Sequence, residues 1–490
     1  MNIGFSGLLA CVVLAGPAAA QSVTTYHNSN NRHGAYVVPG LTTQAAAGIH
    51  FDPGFSASVS GNMYAQPLFW QKKGGTPAVI AFTENNIVYA LNAASGAALW
   101  HTQLAAPAAR ANLPCGNVDP EGITGTPVIN PATGTVYLNA LTAGTNKNAR
   151  QFLYALSLAD GTVQAGWPID MTAALAAKGF TFDSTIQGQR SASLIFDGKL
   201  YVVYGGKAGD CGSYHGTVVE LDPATAAITG YWATTAVRGG IWAQAGIASQ
   251  GKSLFVTTGN TSGATTWGEG EAIIRLRPGL AQSSKTTDYY APANWQGLDN
   301  SDADLGGTMA VPINAPYNGT ETARLLALGK DGNGYLVARN NLGGIGGQLF
   351  TLPLASSSII TAPAVYATTS LTLVSFTASG PKTCSGSGLV TLNVAGGGAT
   401  PITTAWCAPF NGRGAPIVTT TDGISSPIVW VTGAEGDNLL HGFDGLTGAT
   451  VFSGAGTTMS GLHHFSTLMA AGGRLYVGAD NTVYAFTFAK

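Results

Sequence analysis

The sequence predicts an all-β fold, a β-propeller of eight four-stranded blades. Three observations lead there: a short motif recurs along the chain, strand-like segments fill the spaces between its copies, and long helical periodicity is nearly absent. The recurring unit is an apolar strand, then Asp or Asn, then a small-residue turn with Gly, then a second strand. Its clearest copy is Val88-Tyr-Ala-Leu-Asn-Ala-Ala-Ser-Gly-Ala-Ala-Leu-Trp100. Leu153–Gly161, Val218–Thr225 and Leu440–Gly448 repeat it, and Ala272–Leu276, Gly334–Arg339 and Leu389–Val394 are degenerate copies. Val483-Tyr-Ala-Phe-Thr-Phe488 repeats the strand half, after which the chain ends.

Starts spaced by roughly 45 to 65 residues are blade-sized, and a Gly or Asx turn between period-2 strands suits an antiparallel hairpin. Gly125–Ile129, Leu200–Tyr204 and Leu254–Thr258 supply further strands, and Met171–Lys178 is the one helix expected. A ring of blades buries a continuous core and leaves short edges. A chain that ends on this motif needs an early segment to close the ring, either Val23–Tyr26 or the stretch after Ile49. Residues 21–490 thus read as one domain, with a main insertion loop at about 285–310.

The first 20 residues read as a secretory signal. An apolar run from Leu8 to Leu14 is followed by Gly16-Pro17-Ala18-Ala19-Ala20, with Gln21 as the mature start, although no Lys or Arg precedes the run. Export to the periplasm or beyond is the expectation, with no membrane span. Four cysteines then remain. Cys384 with Cys407 is the easier disulfide because one hairpin could bring them together, and Cys115 with Cys211 follows by elimination. No Cys-x-x-Cys occurs, which argues against structural zinc, redox catalysis and covalent haem.

Only 9% of residues are Asp, Glu, Lys or Arg, against about 25% in an average soluble domain. A net charge of −2 gives no footprint for nucleic acid. Low charge is a habit of exported β-repeat proteins. It also suits an acidic habitat, where ion-paired carboxylates would be lost to protonation.

The Val88–Trp100 segment resembles the tryptophan-docking repeat of the pyrroloquinoline-quinone (PQQ) dehydrogenases and of the outer-membrane assembly lipoproteins that share their propeller. In that motif the turn Gly and terminal Trp lock neighbouring blades, which fits Gly96 and Trp100. The similarity continues through Gly122–Val128, Gly239-Gly-Ile-Trp242, Thr258-Gly-Asn260, Asp302-Ala-Asp-Leu-Gly-Gly307 and Lys330-Asp-Gly-Asn-Gly-Tyr335. Two departures count against a quinone site. The family's ring-forming pair of adjacent cysteines is missing, and no calcium cluster of Glu, Asn and Asp can be placed; Trp242 or Trp267 could floor a flat cofactor. The lipoproteins carry a lipidated Cys directly after the signal, where this chain has Gln21.

In size, export signal, repeat type and paucity of charge the chain also resembles the tetrathionate hydrolases of sulfur-oxidising acidophiles. That resemblance implies a cofactor-free, metal-free enzyme acting on a small inorganic anion; a homodimer is compatible with it. Arg190, Lys207, Arg238, Lys330 and Arg339 are candidates to hold the sulfonates, against the simpler reading of solvated charges. Cleaving an S–S bond with water needs a general acid. Asp304 is the first choice and Asp302 the second, against a turn-capping role; Asp331 in a tight turn is weaker. Asp210-Cys-Gly-Ser-Tyr-His215 is chemically rich, but a disulfide at Cys211 would remove its nucleophile. His463-His464 lacks ordinary metal-ligand spacing. The alternatives are a PQQ- and calcium-dependent dehydrogenase and a non-catalytic binding propeller.

Overall fold

The computed structural model describes residues 21–145, 148–384, 386–454 and 456–488; the segment read as a signal lies outside them. Eight sheets follow one another along the chain. Blade 1 consists of Leu68–Trp70, Ala78–Phe82, Ile87–Asn92 and Ala98–Gln103, in that order and antiparallel. Blades 2 to 7 span residues 128–170, 187–233, 248–291, 311–353, 364–408 and 417–453.

Blade 8 takes Leu468–Ala471, Arg474–Ala479 and Thr482–Thr487 from the C-terminus. Its outer edge comes from His50–Phe51 and Ala57–Ser58, both antiparallel to Thr482–Thr487. The stretch after Ile49 therefore closes the ring. The repeat motif is the third strand of each blade. The second strands are buried on both faces, as in Ala78–Phe82 and Thr135–Thr142, which is why they read as unbroken apolar runs.

Neighbouring blades are locked through the motif. Trp100 Nε1 donates to Leu158 O (3.2 Å) and Thr102 Oγ1 to Gly161 O (2.7 Å), so the last strand of blade 1 grips the turn of blade 2. Gly161 is required there: its φ is 75°, and a Cβ would lie 2.5 Å from the Trp100 ring. Trp406 repeats the lock on blade 7, with Nε1 donating to Gly445 O (2.8 Å) and its ring against Gly448.

Residues 23–37 do something else. They cross the propeller axis and bond to blade after blade. Val23 bridges Phe69 of blade 1, and Thr24 O accepts from Ile129 N of blade 2. Asn30 reaches Ile195 O in blade 3 and Ser249 N in blade 4. His33 meets Pro312 O in blade 5 and Val365 N in blade 6. Ala35–Val37 then lies parallel to Ile417–Thr420 of blade 7, and the His27 ring meets Thr467 of blade 8 at 3.3 Å. The segment is a strap that ties all eight blades. At its centre Arg32 is fully buried, donating to Ile247 O, Ser193 O, Tyr26 O and Thr25 Oγ1.

The helix expected at 171–178 is present as Met171–Ala176, capped by Asp170. Two others, Thr43–Ala46 and Trp295–Ser301, were not foreseen. The expected insertion loop at 285–310 is corrected accordingly: it contains the blade 4 strand Tyr289–Ala291 and the second of these helices. Both disulfides form as paired from the sequence, Cys115–Cys211 and Cys384–Cys407, and they fit an exported protein. Among the described residues no helix is long and apolar enough to cross a membrane.

Replacing Arg32 with Met would leave carbonyl acceptors of three segments unpaired in the interior, at about 1–3 kcal/mol for each unsatisfied group. Arg32→Met is expected to lower the urea midpoint of unfolding clearly. An unchanged midpoint would show that the strap does not hold the ring.

Candidate functional site

A cavity of about 580 Å³ is lined by residues from blades 3, 4, 5, 6, 7 and 8, which places it on the axis. The same inner segments hold the strap a few residues further on. Arg190 faces the cavity and Ser193 holds Arg32; Trp242 faces the cavity and Ile247 holds Arg32; Phe465 faces the cavity and Thr467 meets His27. The cavity is therefore a funnel whose far end is closed by the N-terminal strap. Buried polar side chains, Gln66, Thr126, Gln189, Ser191 and Gln244, stand just before inner strands of blades 1 to 4.

Asp304 sits in this funnel, 4% exposed. The helix Trp295–Ser301 ends with Asp302 in the left-handed region (φ 52°), a common way to stop a helix. The chain then doubles back so that Gly306 passes against the Thr258 carbonyl, where a Cβ would be 2.6 Å from the carbonyl carbon. This explains the Asp302–Gly307 motif: Gly306 presses the turn onto the Thr258 carbonyl, Gly307 lets it pass Ile359 and Lys330, and Asp304 is carried inward. Its carboxylate accepts from Asn260 N (2.9 Å), Trp242 Nε1 (3.1 Å) and Lys330 Nζ (3.0 Å). Lys330 Nζ also donates to Asp302 Oδ1 (2.9 Å), which accepts from Asn260 Nδ2 as well (3.2 Å). The ammonium lies 5.6 Å from the Trp242 ring centroid, a cation–π distance.

Behind Asp304, the buried Glu271 accepts from Leu305 N (2.6 Å) through Oε2, while its Oε1 has no partner in the structure. Burial and the nearby Asp304 push the Glu271 carboxyl up to about 9. Burial also raises Asp304, with Lys330 pulling the other way. Burial alone would lower the Lys330 ammonium, but Asp304 and Asp302 outweigh it and hold it above its ordinary range. Burial thus raises both carboxyls, and of the two only Asp304 has an ammonium, that of Lys330, against it.

The other sequence candidates divide clearly. Arg190 lines the funnel, held by Asn117 Oδ1 (3.0 Å) and stacked 5.7 Å from the Phe465 centroid. Lys207 lines it too, its ammonium bound to Glu121 with both side chains buried. Arg238 and Arg339 lie off the funnel: Arg238 bonds Ser262, and Arg339 reaches Ile313 O and Asn314 Oδ1. Asp331 bonds Asn333 and Tyr335 within its own turn. Trp267 packs on Tyr289 away from the axis, which leaves Trp242 as the aromatic wall. His215 bonds the carbonyls of Thr234 and Ala236, and Cys211 is in its disulfide. His463 pairs with Asp480 (2.7 Å) and His464, on the funnel rim, with Glu435 (2.6 Å).

Arg413, on the rim, and Glu271 were not singled out from the sequence. Arg413 stands between glycines in Asn411-Gly-Arg-Gly414, small flanks of the kind that marked the other candidate cations. Glu271 is an acid two positions before the apolar strand Ile273–Leu276 begins.

No protein-family model matches the chain, and no curated protein matches it either. Solved structures do. A quinohemoprotein alcohol dehydrogenase from Comamonas testosteroni superimposes with a TM-score of 0.67 at 15% identity, over 97% of this chain and 82% of that one. A europium-containing methanol dehydrogenase gives 0.61 at 13%, over 95% and 98%. BamB from Moraxella catarrhalis gives 0.52 at 15%, over 90% and 100%. What they share with this chain is the eight-bladed propeller fold. Nothing among the comparisons points to polythionate cleavage.

The buried titrating groups set a pH window for stability. His27 is pulled down to about 3 from 6.5 by burial, so the unfolded chain takes the proton first and stability is lost as pH falls from 6.5 toward 3. Glu84, buried and bonded to Gly122 N, is pushed up to about 8 from 4.5, and Glu271 to about 9. Their contribution is full below 4.5 and is lost as pH rises through 8 and 9. The unfolding midpoint should be highest between about pH 4.5 and 6.5 and lower at pH 8.5 and at pH 3. Stability still climbing at pH 3, as a strictly acidic habitat would favour, would contradict the burial of a neutral His27.

Proposed function

We propose that the axial funnel is the active site of a quinone-dependent oxidoreductase that oxidises an alcohol. The carrying observation is one constellation: Asp304, bonded to Trp242 and Lys330, at the axis of a propeller shaped like those of two dehydrogenases. The funnel suits a flat organic anion such as PQQ. Its volume of about 580 Å³ is ample, Trp242 offers an indole as a wall, and the guanidinium groups of Arg190 and Arg413 suit carboxylates. A bound quinone would supply the acceptor for two electrons.

A resident metal ion does not fit the same site. Asp302 and Asp304 converge, but the Lys330 ammonium lies between them, and among the described residues no three His, Cys, Asp or Glu side chains gather as a metal would require. No step is therefore assigned to a metal.

The chain's own part is proton handling. Oxidising a primary alcohol to an aldehyde releases two electrons and two protons. Asp304 as the carboxylate would take the hydroxyl proton, and a bound quinone would accept the electron pair together with the C–H hydrogen. Burial raises Asp304 toward working pH, which improves it as a base, while Lys330 keeps it in place. Glu271, neutral behind it, adds no competing charge.

The opposite use of Asp304, as a protonated acid delivering a proton to a leaving sulfur, is favoured by the same raised carboxyl. The pH limb separates the two. With PQQ added, dye-linked oxidation of short primary alcohols should rise with pH through the Asp304 titration. Asp304→Asn should lose about 10²- to 10⁴-fold in kcat/KM, the usual worth of a general base, while quinone binding persists. Tetrathionate consumption confined to acid, with no alcohol oxidation, would replace this reading with the hydrolase.

A further inference from the structure

We infer that Lys330 is a built-in replacement for a metal cation, so that the site works without calcium or a lanthanide. The inference rests on the axial cavity being the site described above, and it names the cation class that the site excludes.

Two carboxylates aimed at one point need a positive charge between them, because their mutual repulsion is not screened in a buried pocket. Here Lys330 Nζ is that charge, 2.9 Å from Asp302 and 3.0 Å from Asp304. The Asn260 side chain completes the group on Asp302. Two carboxylates and an amide would be an oxygen-donor set for a hard cation, were the ammonium absent.

The placement is not that of a surface lysine. The Lys330 side chain is 18% exposed and Asp304's is 6%. The Lys330 backbone N–H donates to Asp304 O at 2.9 Å, so main chain and side chain grip the same residue. Beside the funnel a second buried carboxylate is matched by a lysine: Glu121 is bound by the ammonium of the wall residue Lys207. One fold neighbour is a europium-containing methanol dehydrogenase. In this chain the positive charge between the two axial carboxylates belongs to a side chain, Lys330.

The test is europium and calcium binding by the purified chain without quinone, read by europium luminescence lifetime and by titration calorimetry. The wild type should show no saturable binding, while Lys330→Met should gain a one-to-one site of the weak kind that few ligands give, about 10⁻⁴ to 10⁻³ M. Lys330→Met/Asp302→Asn should lose it again. Lys330→Gln, which keeps a hydrogen-bonding tip, serves should the Met variant fail to fold. Stoichiometric wild-type binding that Asp302→Asn abolishes would overturn the inference. So would a folded Lys330→Met or Lys330→Gln that gains none. Because no quinone or turnover enters this measurement, failure of the oxidoreductase reading would leave its outcome unchanged.

Discussion

A ring of eight blades has a hole at its centre, and in this protein the N-terminal strap fills it. Residues 23–37 satisfy inner-strand groups of successive blades with their own backbone and side chains, from Val23 on Phe69 to Ala35–Val37 on Ile417–Thr420. The fully buried Arg32 at the crossing bonds carbonyls of blades 3 and 4 together with the strap itself. Burial pulls its guanidinium down to about 9, a measure of how costly the position is and of how much the carbonyls around it must return. With the strap in place the axis is blind at one end, and the remaining volume becomes a funnel.

That frame gives the site its rigidity. Arg190, Trp242 and Phe465 each stand a few positions before a strap contact on the same inner segment, so these walls are fixed at their roots. The chemistry then comes from irregular additions. A seven-residue helix, Trp295–Ser301, and a glycine-paved turn deliver Asp304 from blade 4 toward Lys330, which enters from blade 5. Rigid blades with function on their loops are the general pattern for scaffolds of this kind, and the Cys115–Cys211 bond ties two of the loops that flank the wall at Asn117 and Lys207.

Most of the frame was legible in the sequence because it repeats. Trp100 and the turn glycines could be read as a lock between blades, and the structure shows the Trp100–Gly161 contact that makes it one. Both cysteine pairings and the closing segment after Ile49 were within reach. The strap was not. Each of its residues bonds a different blade, so it has no period, and Val23–Tyr26 could be weighed only as a closing strand. The helix at Trp295–Ser301 escaped because Gln296, Gly297, Asp299 and Asn300 carry no apolar stripe. Asp304, Asp302 and Lys330 were each visible as candidates. That one ammonium binds both carboxylates was not, since the partners are 26 and 28 residues apart on different blades. Arg238 and Arg339 show the converse: glycine- or asparagine-flanked cations look alike until the fold says which face the axis.

The central claim is that a flat quinone binds in the funnel against Trp242. Equilibrium titration of the purified chain with PQQ, following tryptophan fluorescence, tests it most directly. The account predicts saturable one-to-one quenching that weakens strongly in Trp242→Ala. Absence of saturable quenching, or binding indifferent to Trp242→Ala, would contradict it.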